Sequence, residues 1–118
     1  MTIGPATTLV DLAFIVCTEL DQAGCTVVLS GGGAATFYAP ASCQSHDLDF
    51  VSAFWTSLAG VSASPLLKLG FEQRAGSYHH PDTPFIVEFP PGPLAIGQEV
   101  VESWSTVRRH SQLLHVLT

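Results

Sequence analysis

The chain has 118 residues, a formal net charge of −6 and only four basic side chains, which are Lys68, Arg74, Arg108 and Arg109. This length accommodates one domain with a single core. Four cations cannot form the continuous basic surface that non-specific nucleic-acid binding requires, so we do not expect a nucleic-acid partner.

The first elements predicted along the chain are a helix, a strand and a second helix. Thr8 begins the first helix, with Asp11 three residues later as in a capping box, and Gly24 ends it. Residues 25–30, CTVVLS, have the composition of a buried strand. Residues 33–39, GAATFYA, are predicted to form a short helix that starts within the triple glycine.

The middle of the chain is predicted to contain a loop over 40–46 and a second strand over 47–51. Residues 52–69 have a mixed pattern, which we interpret as two short helical pieces broken at Gly60 and Pro65.

Two strands, 71–79 and 85–89, are predicted to form a hairpin around the polar turn HHPDTP. In this interpretation His79, His80 and Asp82 are solvated loop residues rather than metal ligands. The prolines at 90–93 end the hairpin. The C-terminal segment, from residue 98 onward, can form either strands around a turn at RRHSQ or a helix over 98–114, and we favour the strands.

Asp47 and Asp49 stand two residues apart on the second predicted strand. Side chains at this spacing project from the same face of a strand, with Cα atoms roughly 7 Å apart, while Leu48 and Phe50 turn into the core. Two such carboxylates suit Mg²⁺, a hard cation that also coordinates phosphate oxygens.

Two further features complete the predicted site. Gly31, Gly32 and Gly33 follow a strand and open a helix, so the backbone can approach a phosphate closely and present free N–H groups. Glu88 is the one charge in the apolar strand FIVEF, which argues that it faces a polar site or solvent.

The order of these residues resembles the signature of the nucleotidyltransferase superfamily, particularly small bacterial members related to the toxin halves of toxin–antitoxin and abortive-infection systems. The matching motifs are Leu29-Ser30-Gly31-Gly32, Asp47-Leu48-Asp49 and Glu88, within about residues 27–97. The resemblance implies that Asp47 and Asp49 bind Mg²⁺ or Mn²⁺ and that Ser30, Gly31 and Gly32 bind the phosphates of an NTP. It also implies that Glu88 activates the acceptor hydroxyl, either as a base or as a third metal ligand.

From these observations we expect an α+β fold: a mixed β-sheet with helices packed mainly on one face, and a nucleotidyltransferase-like core. Residues 1–118 would form a single domain that lacks the C-terminal helical substrate module of larger relatives. The expected activity is metal-dependent transfer of a nucleoside monophosphate from an NTP to an unknown acceptor. The alternatives are an inactive protein of this fold that acts as a binding or toxin–antitoxin-type interaction module, and an unrelated α+β domain.

Composition also bears on location and partners. Cys17, Cys25 and Cys43 show no C-x-x-C spacing, and the chain has neither an apolar run long enough for a membrane span nor a signal-peptide pattern. We therefore expect a cytoplasmic protein with reduced thiols and no membrane partner. Charged residues make up only 12% of the chain, which favours a homodimer or a protein partner that covers apolar surface.

Overall fold

A computed structural model describes residues 3–39, 46–52, 64–89, 95–96, 99–100 and 104–117. Three helices and nine strands occur in these ranges. In chain order they are α1 (Leu9–Gln22), β1 (Val27–Ser30), α2 (Gly31–Tyr38), β2 (Asp47–Ser52), α3 (Ser64–Leu69), β3 (Glu72–Arg74), β4 (Ser77–His80), β5 (Thr83–Glu88), β6 (Ala95–Ile96), β7 (Glu99–Val100), β8 (Trp104–Arg109) and β9 (Gln112–Leu117).

The ends of α1 follow the predicted chemistry. The Asp11 N–H donates to the Thr8 hydroxyl at 3.0 Å and the Thr8 N–H donates to the Asp11 carboxylate at 3.3 Å, so the capping box is confirmed. At the other end Gly24 has φ +89°, and the Cys25 N–H donates to the carbonyl of Leu20 at 2.8 Å. This left-handed glycine redirects the chain from α1 into β1.

Seven strands form one mixed sheet in the order β3-β4-β5-β2-β1-β9-β8, and β6 and β7 form a separate two-stranded ladder. β1 pairs with β2 antiparallel and with β9 parallel, while β2 and β5 are parallel. The expected α+β class with a mixed sheet is therefore confirmed. The resemblance of its core to nucleotidyltransferases remains a proposal.

The described helices bury their apolar residues in the same core, against one side of the sheet. Leu12, Val16 and Leu20 of α1 are fully buried together with Leu29 of β1 and Leu48 of β2. Residues that alternate with these two, including Ser30 and Asp49, project from the other face. That second face carries the predicted site.

The predicted strand over 71–79 is wrong, because the chain turns at Ala75 and Gly76. These residues have φ 49° and φ 88°, and Arg74 pairs with Ser77 across the turn. Two consecutive positive φ angles suit a two-residue hairpin turn, for which Asn-Gly is the usual signal and Ala-Gly a weak one. The result is a three-stranded meander of β3, β4 and β5.

The turn predicted at HHPDTP is also shorter than expected, because His79 and His80 belong to β4. His80 is half-buried, its ring packs edge-on against Phe71 with centroids 5.1 Å apart, and its Nε2 lies 3.1 Å from the carbonyl of Leu69. The expectation of a solvated loop histidine at this position was therefore wrong.

The helix break predicted at Pro65 is wrong. Pro65 lies in the first turn of α3. A proline is tolerated there because the first N–H groups of a helix have no intrahelical acceptor. The break predicted at Gly60 and the proline-rich end at 90–93 lie outside the described residues.

The tail forms the strands that we favoured over a helix. β8 and β9 pair antiparallel from Trp104 with Leu117 to Arg109 with Gln112, around a turn at His110 and Ser111. No helix in the described part of the chain is long and apolar enough to span a membrane.

Candidate functional site

The aspartate pair projects from β2 as the spacing predicted. Asp47 and Asp49 are half-buried, whereas Leu48 and Phe50 between and after them are fully buried. The two carboxylates thus share the face of the sheet that lies opposite the helices. The pattern D-L-D-F was sufficient to predict this orientation.

The glycine segment meets this pair at the start of α2. The helix begins at Gly31, two residues earlier than predicted, and Gly31 adopts φ +62°. A Cβ atom at Gly31 would lie 3.1 Å from Oδ2 of Asp49. A side chain at Gly31 would therefore crowd the carboxylate, and glycine leaves that carboxylate accessible.

Ser30 is the N-cap residue of α2, but its hydroxyl makes no capping hydrogen bond. The hydroxyl instead donates to the backbone carbonyl of Asp49 at 3.1 Å. The first N–H groups of a helix have no intrahelical acceptor and carry a partial positive charge. The Ser30 hydroxyl therefore does not occupy the N–H groups of this terminus, which starts beside Asp49.

Gly33 sets how closely α2 packs on the sheet. A Cβ atom there would lie 2.9 Å from Cδ1 of Leu29 and 3.2 Å from Cδ2 of Leu48. The triple glycine thus serves two purposes, since Gly31 opens the site and Gly33 brings the helix close to β1 and β2. Gly32 is exposed at the helix terminus.

Glu88 reaches the site through the pairing of β2 with β5. Asp49 pairs with Ser30 on one side and with Glu88 on the other. Paired residues on neighbouring strands share a face and stand about 4.8 Å apart. The sheet therefore places Ser30, Asp49 and Glu88 in one row across three adjacent strands, although Asp49 and Glu88 are 39 positions apart in the chain.

Burial raises the pKa of the Asp49 carboxyl above its ordinary value, and the charge of Asp47 raises it further. Two carboxylates on one face of a sheet repel each other where solvent screens them incompletely. A bound cation relieves this repulsion, so the pair is electrostatically suited to a metal ion.

Among the carboxylates near this site, Asp47 and Asp49 are the two that suit Mg²⁺. Mg²⁺ is usually held by one or two protein carboxylates and takes its other ligands from phosphate oxygens and water. No group of three or more His, Cys, Asp or Glu side chains in the described ranges lies close enough to hold a metal together. Binding of Mg²⁺ by Asp47 and Asp49 is therefore a proposal, and Glu88 is a neighbour in the row rather than part of a three-ligand cluster.

Two residues in the same row were not predicted as part of the site. Ser77 of β4 pairs with Glu88, and Arg74 of β3 pairs with Ser77. Their place depends on the turn at 75–76, which the sequence did not reveal. His46, by contrast, stacks on Phe85 with centroids 6.2 Å apart, on the face opposite Asp47 by strand alternation.

Comparisons of this chain with protein-family models, with curated proteins and with solved structures found no match.

Proposed function

We propose that this chain binds an NTP together with Mg²⁺ or Mn²⁺ and transfers its nucleoside monophosphate to an acceptor hydroxyl. The observation that carries this proposal is the row Ser30–Asp49–Glu88 beside the uncapped start of α2. It joins a helix terminus suited to an anion, one member of an aspartate pair suited to a cation, and a separate carboxylate that can act as a base.

Each group has a distinct task in this proposal. The first N–H groups of α2 donate to the β- and γ-phosphates, and Gly31 keeps the space beside Asp49 open to them. Asp47 and Asp49 would hold the cation, which would supply positive charge to neutralise and polarise the phosphates. Glu88, on the neighbouring strand, accepts the proton of the attacking hydroxyl.

In the transfer the acceptor oxygen forms a bond to the α-phosphorus, and the bond from that phosphorus to the β-phosphate oxygen breaks. Pyrophosphate leaves with the electron pair. The proton of the acceptor hydroxyl moves to the Glu88 carboxylate. Positioning and charge neutralisation supply most of the rate in such phosphoryl-group reactions, which suits a site built from backbone N–H groups and carboxylates.

Nucleotide binding by the wild type and by the double variant Asp47→Asn/Asp49→Asn tests this proposal. For the wild type we expect at least one NTP to raise the melting temperature only when Mg²⁺ or Mn²⁺ is present. A ligand at one hundred times its Kd adds about 2.7 kcal/mol of stability. The double variant should lose this shift, because it retains the fold but not the charges that hold the cation.

Asp82→Asn is the matched control, because Asp82 is an exposed carboxylate in the turn between β4 and β5. This variant should keep the full metal-dependent shift. Each shift is measured against the ligand-free form of the same variant, since the substitutions alter stability by themselves. If NTP and metal raise the melting temperature of the double variant as much as that of the wild type, the proposal is contradicted.

A second candidate function is an interaction module of the same fold without catalysis. The observation in its favour is the absence of a three-carboxylate cluster within the described ranges. This candidate predicts no thermal shift with any NTP and metal, together with self-association or a protein partner. Sedimentation and thermal shift on the same sample separate the two functions.

A further inference from the structure

We propose that the acceptor lies along β5, β4 and β3 and is an anionic alcohol of the sugar-phosphate class, with its hydroxyl at Glu88 and its anionic group at Arg74. This inference rests on the proposed nucleotidyl transfer and names the substrate that the same site would take. Its basis is a row of paired residues that crosses five strands.

The row follows directly from the sheet register. Ser30 pairs with Asp49, Asp49 with Glu88, Glu88 with Ser77, and Ser77 with Arg74. Because paired residues share a face, all five side chains belong to the face opposite the helices. The polar row therefore continues past Glu88 on the side away from α2.

The two halves of this row suit different ligands. The half at Ser30 and Asp49 adjoins the uncapped start of α2, where a triphosphate fits. The half from Glu88 to Arg74 spans two strand spacings, about 10 Å. That distance, with an arginine side chain able to extend inward, suits a molecule with a hydroxyl at one end and an anion at the other.

Arg74 is the cation that the register assigns to this row. Its side chain is 66% exposed and pairs with Glu72 at 3.0 Å. Exposed pairs of this kind contribute little to stability, so a phosphate that binds the guanidinium in two places can displace Glu72. Arg108 and Arg109 lie in β8, at the opposite edge of the sheet.

The placement is consistent with the proposed chemistry. The hydroxyl oxygen of the acceptor attacks the α-phosphorus from the Glu88 side and transfers its proton to Glu88. Pyrophosphate leaves from the side of α2. The attacking and leaving oxygens then lie on opposite sides of the α-phosphorus along the direction of the row, as in-line displacement requires.

The test is a titration with ribose 5-phosphate, followed through backbone amide chemical shifts of the whole chain, with ribose as the neutral comparison. We expect ribose 5-phosphate, and not ribose, to shift amides of 74–79 and 86–88. Arg74→Gln should weaken this binding about tenfold, the scale of one charge-assisted contact. Arg108→Gln is the matched control, an exposed arginine at the far edge, and should bind as the wild type does.

Binding that is equal in the wild type and Arg74→Gln, or no shift in these strands, overturns the inference. The titration needs neither NTP nor metal, so its outcome is independent of the nucleotide test. If the amides shift while Asp47→Asn/Asp49→Asn leaves NTP binding unchanged, the acceptor surface stands and nucleotidyl transfer fails. If the amides do not shift while Asp47→Asn/Asp49→Asn abolishes NTP binding, the proposed acceptor surface fails and the nucleotide site stands.

Discussion

Gly31 lies directly beside the Asp49 carboxylate. Gly31 combines a left-handed φ of +62° with a position where a Cβ atom would lie 3.1 Å from the Asp49 carboxylate. Gly24 also has a left-handed φ, +89°, but an added Cβ there would meet no atom within 4 Å. A side chain at Gly24 would therefore introduce conformational strain alone. A side chain at Gly31 would introduce the same kind of strain and would also obstruct the site.

We expect Gly31→Ala to cost about 1–2 kcal/mol in the free energy of unfolding, the penalty of a left-handed residue with a side chain. It should also reduce the metal-dependent NTP shift, because the new methyl group crowds Asp49. Gly24→Ala should lower the melting temperature and leave the NTP shift intact. Thermal melts with and without NTP and Mg²⁺ measure both effects, and equal NTP shifts in the two variants would contradict the role given to Gly31.

The raised pKa of Asp49 makes a prediction about stability in the absence of metal. A carboxyl whose pKa is higher in the folded than in the unfolded state disfavours folding once it ionises. Asp49→Asn should therefore raise the melting temperature of the metal-free protein at pH 7. The gain should shrink as the pH falls and vanish below the ordinary aspartate value of 3.8, where the wild-type carboxyl is protonated in both states.

Melts of the wild type and Asp49→Asn in chelator between pH 3 and 8 measure this difference. Asp82→Asn, at an exposed turn, serves as the control and should show no comparable gain. A loss of stability at pH 7 in Asp49→Asn would show that the carboxylate makes a stabilising contact instead.

At the scale of elements, α1 holds the tail in the sheet. The Thr18 hydroxyl accepts a hydrogen bond from the Leu113 N–H at 2.9 Å and donates to the Leu113 carbonyl at 3.2 Å. The Cys17 thiol accepts from the His115 N–H at 3.4 Å and donates to the Val27 carbonyl at 3.6 Å. Burial raises the pKa of this thiol to about 11, so Cys17 is a buried thiol that stays protonated at neutral pH.

We expect Thr18→Val, which keeps the shape of the side chain, to destabilise the fold by about 1–3 kcal/mol, because two backbone groups of Leu113 lose their partner. Thr36→Val is the control. Thr36 is also buried, but its hydroxyl donates to the Gly32 carbonyl within α2. Denaturant unfolding of both variants measures the difference, and an equal cost would argue against a special role for the contact between α1 and β9.

At the scale of the whole molecule, the site depends on a sheet whose neighbours are not consecutive in the chain. β2 lies between β1 and β5, so residues 30, 49 and 88 meet only after both pairings have formed. The tail then returns to place β9 on the other side of β1. The expected homodimer and the cytoplasmic location remain predictions.

The aspartate pair and the glycine turn were predictable because their geometry is local. A two-residue period sets the face of a strand, and a glycine run between strand and helix sets a close backbone approach. The capping box at Thr8 and the tail strands were predictable for the same reason. The turn at 75–76 was not, because Ala-Gly carries little of the signal that Asn-Gly would have carried.

The sequence by itself determined the α+β class, the orientation of Asp47 and Asp49, and the glycine opening at the start of α2. Only the tertiary structure decided that Glu88 lies beside Asp49, that Ser30 binds the backbone of Asp49 rather than capping α2, and that Arg74 shares their row. The physical reason is that strand order and register arise from packing and hydrogen bonding between distant segments. Periodicity within one segment carries no information about which neighbour it will meet.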